Sequence, residues 1–333
     1  MITVIKPGLL TSVQDLGRYG YQKYGVIASG VMDKLSHRIA NILVGNDENE
    51  PTLEITLLGP AIQFEEDSLI SICGGDLSPS INGTLVRPWR SIFVKKGSKL
   101  TFGPAKSGSR TYLSVAGGFN VKEVMDSKST YLRAGIGGFK GRALKAGDSI
   151  PFHQPGDLSI SIMEYLARQA KDRQFAEMEW SVASNLTPAY RKDAAIRVIK
   201  GNQYHLFSEV SRYKFFSETF EVTPQSDRMG YRLKGPFLQL EKPEELISEA
   251  VSFGSIQVPS EGSPIVLLAD RQTTGGYPKI GQIASVDLPI IAQAKPGDRI
   301  RFSEVSHEAA QALYLEREAE LKQLKNGILL KFR

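Results

Sequence analysis

The sequence predicts a mainly β protein: two β-barrel domains with a few peripheral helices. Its 333 residues exceed one ordinary core, since domains usually hold roughly 100 to 200 residues. Short apolar runs punctuated by Gly and Pro recur in both halves, which is the texture of sandwiches and barrels and not of βαβ repeats. Helical periodicity is confined to a few stretches.

Strand texture dominates from Met1 to about Asp148, with β-rich runs at Leu69–Ile72, Ser91–Val94 and Thr111–Val115. The exception is Met32–Val44, where Leu35, Ile39, Ile42 and Leu43 recur at helical spacing before the Gly45-Asn46 stop. Between Ser161 and Lys192 the texture becomes charged, and Glu164–Trp180 reads as a connector or peripheral helix. Strand texture resumes at Ile196–Ile199 and persists to Phe302; Ser306–Asn326 then reads as a helix closed by Gly327. The expected domains are therefore 1–190, including the connector, and 191–333, including the last helix. An internal echo supports duplication: Ala146-Gly-Asp-Ser-Ile-Pro-Phe152 resembles Pro296-Gly-Asp-Arg-Ile-Arg-Phe302, with Lys96-Gly-Ser-Lys-Leu-Thr-Phe102 as a looser copy.

Composition narrows the function classes. No run approaches the roughly 18 apolar residues of a membrane span, and Met1-Ile-Thr-Val-Ile-Lys-Pro-Gly8 lacks the basic and apolar regions of a signal peptide, so a cytoplasmic protein is expected. The net charge of +5 comes from 41 basic and 36 acidic residues scattered among one another, which argues against nucleic-acid binding. The single cysteine, Cys73, sits in an apolar strand and reads as a buried filler. With four histidines, His37, His153, His205 and His307, far apart in sequence, no bound metal is predicted. The glycine cluster Gly135–Gly141 has a lysine where a dinucleotide fingerprint needs its third glycine, and no Walker-type loop is present.

Four polar clusters remain. In the first, Gln14–Arg18 precedes Ser29–Asp33; Ser29 or Asp33 caps the following helix, or the helix N-terminus beside Arg18 binds an anion. In the second, Asp126–Thr130 is followed by Arg133, Arg142 and glycines at 135, 137 and 138, which either form a structural loop or grip a carboxylate or phosphate. The third, Ser226–Leu233, offers Arg228 and Arg232 beside Asp227, as a solvated ion pair or as carboxylate binders. The fourth is a glycine-lined rim: Gln257, then Asp270, Gln272, Thr273, Thr274, Gly275, Gly276 and Tyr277, separated by the apolar strand Ile265–Leu268. That density of hydrogen-bonding groups exceeds what a turn needs and suits neutral amide or ureido ligands.

Taken together, Val13-Gln-Asp-Leu-Gly-Arg18, Ser29-Gly-Val-Met-Asp33, Tyr112-Leu-Ser-Val-Ala-Gly-Gly118, Ser226-Asp-Arg-Met-Gly-Tyr-Arg-Leu233 and Asp270-Arg-Gln-Thr-Thr-Gly-Gly-Tyr-Pro278 resemble the biotin-dependent carboxyltransferase A/B family, or allophanate hydrolase subunit 2. Within it the likeness is strongest to the KipA-like branch, the C subunits of prokaryotic 5-oxoprolinases. The resemblance implies paired cyclophilin-like barrels and two partner subunits, one KipI-like and one LamB/YcsF-like, which together with this chain open 5-oxo-L-proline to L-glutamate with ATP. It leaves two alternatives: biotin-dependent carboxyl transfer to urea, with biotin as cofactor, or a regulator that only antagonises a KipI-type kinase inhibitor. Under the hydrolase reading Arg18, Arg133 or Arg228 holds the substrate carboxylate, and Gln257, Thr273 or Thr274 contacts the lactam. Asp270 or Asp33 then orients a nucleophile or moves a proton, and ATP is bound through the complex, leaving the chain inactive alone.

Overall fold

The computed structural model describes residues 1–332. The chain forms two compact units: one takes Met1–Arg18, Asp33–Pro188 and the chain from Ala319 onward, the other Tyr19–Met32 and Ala189–Glu318. The mainly β expectation is borne out, with one closed barrel and two large sheets. Among the described residues no helix is long and apolar enough to cross a membrane.

In the first unit, one six-stranded sheet runs in the order Ser149–Ile150, Ile2–Lys6, Ala61–Phe64, Lys99–Thr101, Ser80–Ile81, Thr84–Leu85. The other runs Phe175–Glu177, Ser91–Val94, Ser68–Asp76, Ser107–Val115, Thr52–Thr56, Leu10–Gln14. They share one core that includes Ile2, Val13, Leu53, Phe64, Ile70, Ile72 and Leu113. Strand Ser68–Asp76 is buried on both faces because its second face carries helices α1 (Lys34–Leu43) and α2 (Asp157–Ala170). The period of two confirms this: Ile70 and Ile72 enter the core, while Ser71 Oγ donates to Ala40 O of α1 at 2.6 Å. Cys73 shares that outward face, fully buried, with its thiol pushed well up by burial.

Asp33 starts α1 by accepting from Ser36 N–H at 3.0 Å and Ser36 Oγ at 2.6 Å, and Gly45 at φ +78° follows its end. Beneath it lies a buried polar layer that the apolar spacing concealed. Tyr112 OH donates to Glu54 at 2.8 Å and accepts from Asp33 N–H at 2.8 Å, His37 Nδ1 lies 2.9 Å from Thr52 Oγ1, and Ser114 donates to Asn41 Oδ1 at 2.6 Å. The charged stretch expected from Glu164 differs from the structure. Helix α2 starts earlier, at Asp157, because Ser159, Ile162, Leu166 and Ala170 form its buried stripe, and Phe175–Glu177 is a sheet edge paired with Ser91–Val94.

The second unit is a closed barrel in the order Asp193–Lys200, Lys279–Ile283, Ser255–Gln257, Ile265–Leu267, Gly230–Lys234, Thr219–Val222, Arg299–Glu304. It closes through the parallel pairing of Asp193–Lys200 with Arg299–Glu304. Helices α3 (Glu209–Ser217) and α4 (Leu288–Gln293) contribute Phe215, Ile291 and Ala292 to its core. A separate two-stranded ribbon pairs Glu249–Ala250 with Thr274–Gly275.

The sequence echo is a repeated turn. Gly97, Gly147 and Gly297 have φ of +82°, +86° and +88°, and Ser98, Asp148 and Asp298 each donate N–H to the lysine carbonyl three residues back, at 3.0 to 3.1 Å. The three glycine N–H groups then pair outward to Phe64, Val4 and Val222 carbonyls.

The last helix, α5, spans His307–Phe332 and runs through Gly327 where a stop was expected. An interior glycine costs roughly 1 kcal/mol relative to alanine. Burial of Leu321 and Ile328, the edge-on contact of Phe332 with Tyr165 at 5.5 Å and Lys331 over Trp180 at 5.6 Å outweigh that cost.

Burial lowers the His37 pKa from 6.5 to about 4. The unfolded chain therefore takes up this proton first as pH falls through 6.5, and stability is lost progressively down to pH 4. At about 1.4 kcal/mol per pH unit the loss reaches about 3 kcal/mol. Urea unfolding of wild type and His37→Gln at pH 7 and pH 4.5 checks this: the variant is expected to lose less stability on acidification, and equal losses would exclude His37 as the source.

Candidate functional site

The rim from Asp270 to Tyr277 leaves the barrel after strand Ile265–Leu267 and returns into Lys279–Ile283. Its first residue is buried, 6% exposed, as is Arg228 at 6%. Arg228 grips Asp270 in bidentate fashion, Nε to Oδ2 at 3.0 Å and Nη2 to Oδ1 at 3.1 Å, and Nη2 also donates to Gly30 O at 2.5 Å. Ser29 Oγ donates to Asp270 Oδ1 at 2.7 Å. Ser29 stands in the left-handed region, φ +54°, a conformation that costs a non-glycine residue about 1 kcal/mol or more and persists where surrounding contacts impose it.

Beyond Asp270, Thr274 pairs with Ala250 and Gly275 with Glu249, while Thr273 O accepts from Val251 N–H at 3.2 Å. This ribbon holds Gly275 over two glutamine amides. A Cβ at Gly275 would lie 2.6 Å from Gln257 Nε2 and 3.1 Å from Gln272 Nε2, so a side chain there would displace them. Gln257 is 1% exposed and spends Nε2 on Tyr277 O at 3.2 Å. Gln272 is exposed and makes no hydrogen bond with the described residues. The Gln272 amide is open to solvent and offers a donor and an acceptor that can complement an amide or ureido group, while the buried Gln257 amide backs it beneath Gly275.

A cavity of about 640 Å³ lies in the same unit, lined by Lys200, Asn202, Ser252, Lys279, Gln282 and Tyr314 among others. Ala250 belongs both to its wall and to the ribbon. Lys279 Nζ pairs with Glu249 at 2.6 Å and holds that carboxyl below its usual range. Sequence reasoning missed these residues, because strand pairing brings Glu249 to Lys279 across 30 positions without a local signal. Arg271, inside the rim, was passed over in favour of its neighbours.

The other predicted residues belong to the first unit. Arg18 is fully buried and donates to Val124 O and Ser129 O, both at 2.9 Å. Asp33 caps α1 with both carboxylate oxygens held by Ser36. Arg133 is exposed, and Arg142 makes a bidentate pair with Asp148, both contacts 2.7 Å. In the second unit, Tyr277 is 49% exposed. The structure thus joins Arg228 to Asp270, and Gln257 to Gln272, Gly275 and Tyr277.

Removing one partner of a buried ion pair leaves an uncompensated charge and costs about 3 to 5 kcal/mol. Asp270→Ala is therefore expected to lose that much in chemical denaturation, and Asp270→Asn, which retains an acceptor for Ser29, is expected to lose less. A loss below about 1 kcal/mol for the alanine variant would show that the pair does not hold the rim.

Residues 24–304 match the family model of the carboxyltransferase domain, subdomain A and B. The chain is 36% identical to the C subunit of the Haemophilus influenzae 5-oxoprolinase, over 98% of each chain. It is 37% identical to the Escherichia coli protein of the same name, over 97% of each. Among solved structures it is similar to Kluyveromyces lactis urea carboxylase, with TM-score 0.86 and 31% identity over 98% of this chain and 29% of that one. The chain therefore belongs to the carboxyltransferase-domain family that carries subdomains A and B.

Proposed function

We propose that this chain is the C subunit of a cytoplasmic ATP-dependent 5-oxoprolinase, acting with KipI-like and LamB/YcsF-like subunits to open 5-oxo-L-proline to L-glutamate. The observation that carries this reading is its end-to-end correspondence with proteins named as the C subunit of 5-oxoprolinase, which leaves almost none of either chain unmatched. The chemistry of the rim supports it. A lactam presents one N–H and one C=O, and the exposed Gln272 amide offers an acceptor and a donor to match, backed by the buried Gln257 amide beneath Gly275. In this reading Asp270 positions the rim through Arg228 and Ser29, the glutamine amides orient the lactam, and Thr273, Thr274, Gly276 and Tyr277 border it. ATP is bound through the assembled subunits and supplies the driving force.

A second reading is carboxyl transfer from biotin, supported by the likeness to a urea carboxylase. The same amide pair would then hold a ureido group, with donors stabilising oxygen charge as it develops.

The deciding experiment is 5-oxoproline-dependent ATP hydrolysis by the chain with both partners and with each omitted in turn. Glutamate is expected only from the full mixture. Gly275→Ala, which displaces the Gln257 amide, is expected to lower turnover about tenfold or more, the equivalent of about 1.4 kcal/mol, with little change in melting temperature. Associated, folded subunits that form no glutamate would turn the assignment toward carboxyl transfer.

A further inference from the structure

Arg271 stands in the rim between Asp270 and Gln272, and among the described residues no carboxylate pairs with it. Its Nε donates to Val251 O at 3.2 Å and its Nη1 to Leu268 O at 3.3 Å, while the guanidinium lies 5.9 Å from the centre of the Phe253 ring. The side chain is half-buried. Nη2 makes no hydrogen bond with the described residues, nor is it sealed from solvent. Burial pulls the guanidinium below the usual arginine range, and the Tyr19 phenol partly offsets that.

The other arginines considered for the substrate are placed differently, Arg133 among them, which is exposed and belongs to the first unit. Arg228 is neutralised by Asp270, Arg18 is fully buried against two carbonyls, and Arg142 is neutralised by Asp148. Arg90, also pulled down by burial, feels the Glu177 carboxylate. A partly desolvated guanidinium without a counter-charge gains most from an anion that supplies one, and its planar fork suits a carboxylate. One residue away in sequence is Gln272, half of the amide pair at Gly275.

We propose that Arg271 is the carboxylate anchor of the rim, so that the ligand class is a small molecule carrying a carboxylate beside an amide. This rests on the reading of the rim as the 5-oxoproline site and adds the group that selects for the acid. The carboxylate takes Nη2 and the exposed side of the guanidinium, while Val251 O and Leu268 O keep the stem in place.

The test titrates the full-length chain with 5-oxo-L-proline, with 2-pyrrolidinone, which is the same lactam without the carboxylate, and with succinate, using ligand-observed NMR. Wild type is expected to bind 5-oxoproline at least about tenfold more tightly than 2-pyrrolidinone, the equivalent of about 1.4 kcal/mol. Arg271→Met is expected to erase that preference, and Arg271→Lys, which keeps the charge without the fork, to retain part of it; far-UV circular dichroism confirms that each variant is folded. A preference that survives in Arg271→Met overturns the anchor and leaves the substrate reading standing. Succinate binding that depends on Arg271, with no binding of 5-oxoproline, supports the anchor and overturns the substrate. If wild type binds none of the three, the anchor is overturned as well.

Discussion

The bidentate contact between Arg228 and Asp270 is the interaction on which the rim of the second unit depends. Two charges that are each 6% exposed add little net stability, because desolvation offsets their attraction. Their effect is positional. The backbone already aligns them, with Asp270 N–H on Arg228 O at 2.8 Å and Leu268 N–H on Met229 O at 3.0 Å. The side chains then recruit Ser29 and Gly30 from a segment some two hundred residues earlier in the chain. One pair thereby sets where the rim begins and why Ser29 can hold a left-handed backbone.

The first unit organises its loops by the same device with a different partner. Asp15 accepts from Gly17 N–H, Lys128 N–H and the hydroxyls of Ser127 and Ser129, and Arg18 donates to Val124 O and Ser129 O. The glycine loop fits against this knot because it has no side chain there: a Cβ at Gly137 would lie 2.0 Å from Ser129 O and 2.7 Å from Arg18 Nη2. Asp15 and Arg18 of the first polar cluster and Ser127–Ser129 with Gly137 of the second therefore form one assembly, in which the buried charges bond backbone groups and serine hydroxyls.

That accounts for what was legible beforehand. Short β-rich apolar runs such as Leu69–Ile72 and helical spacing at Leu35, Ile39 and Ile42 report burial, and burial sets element type, so the mainly β fold and α1 could be read directly. The Asp33 cap and the turn at Gly147 and Gly297 were legible because each is made within three residues. The extension of α5 past Gly327 was not, since local propensity says stop and the packing of Ile328, Lys331 and Phe332 is non-local. The rim was visible as a density of polar groups, but its internal division was hidden. Whether an arginine is neutralised depends on strand pairing that the linear chain does not display: Arg228 reaches Asp270 across 42 positions, while Arg271 beside it finds carbonyls.

This division bears on how one frame serves relatives with different chemistry. A pair of glutamine amides is neutral and indifferent: a lactam, a urea and a biotin ureido ring all present the same alternation of donor and acceptor. Selectivity must then come from what surrounds the amide, and charge is the strongest discriminator available in a half-buried site. Urea carries none, whereas 5-oxoproline carries a carboxylate next to its lactam nitrogen. A guanidinium without a carboxylate partner one residue from Gln272 favours the acid and offers the neutral urea no charge to pair with. Under the proposed reading the Arg228–Asp270 clamp positions the rim, the amide pair meets the neutral part of the ligand, and the charge of Arg271 selects the acid.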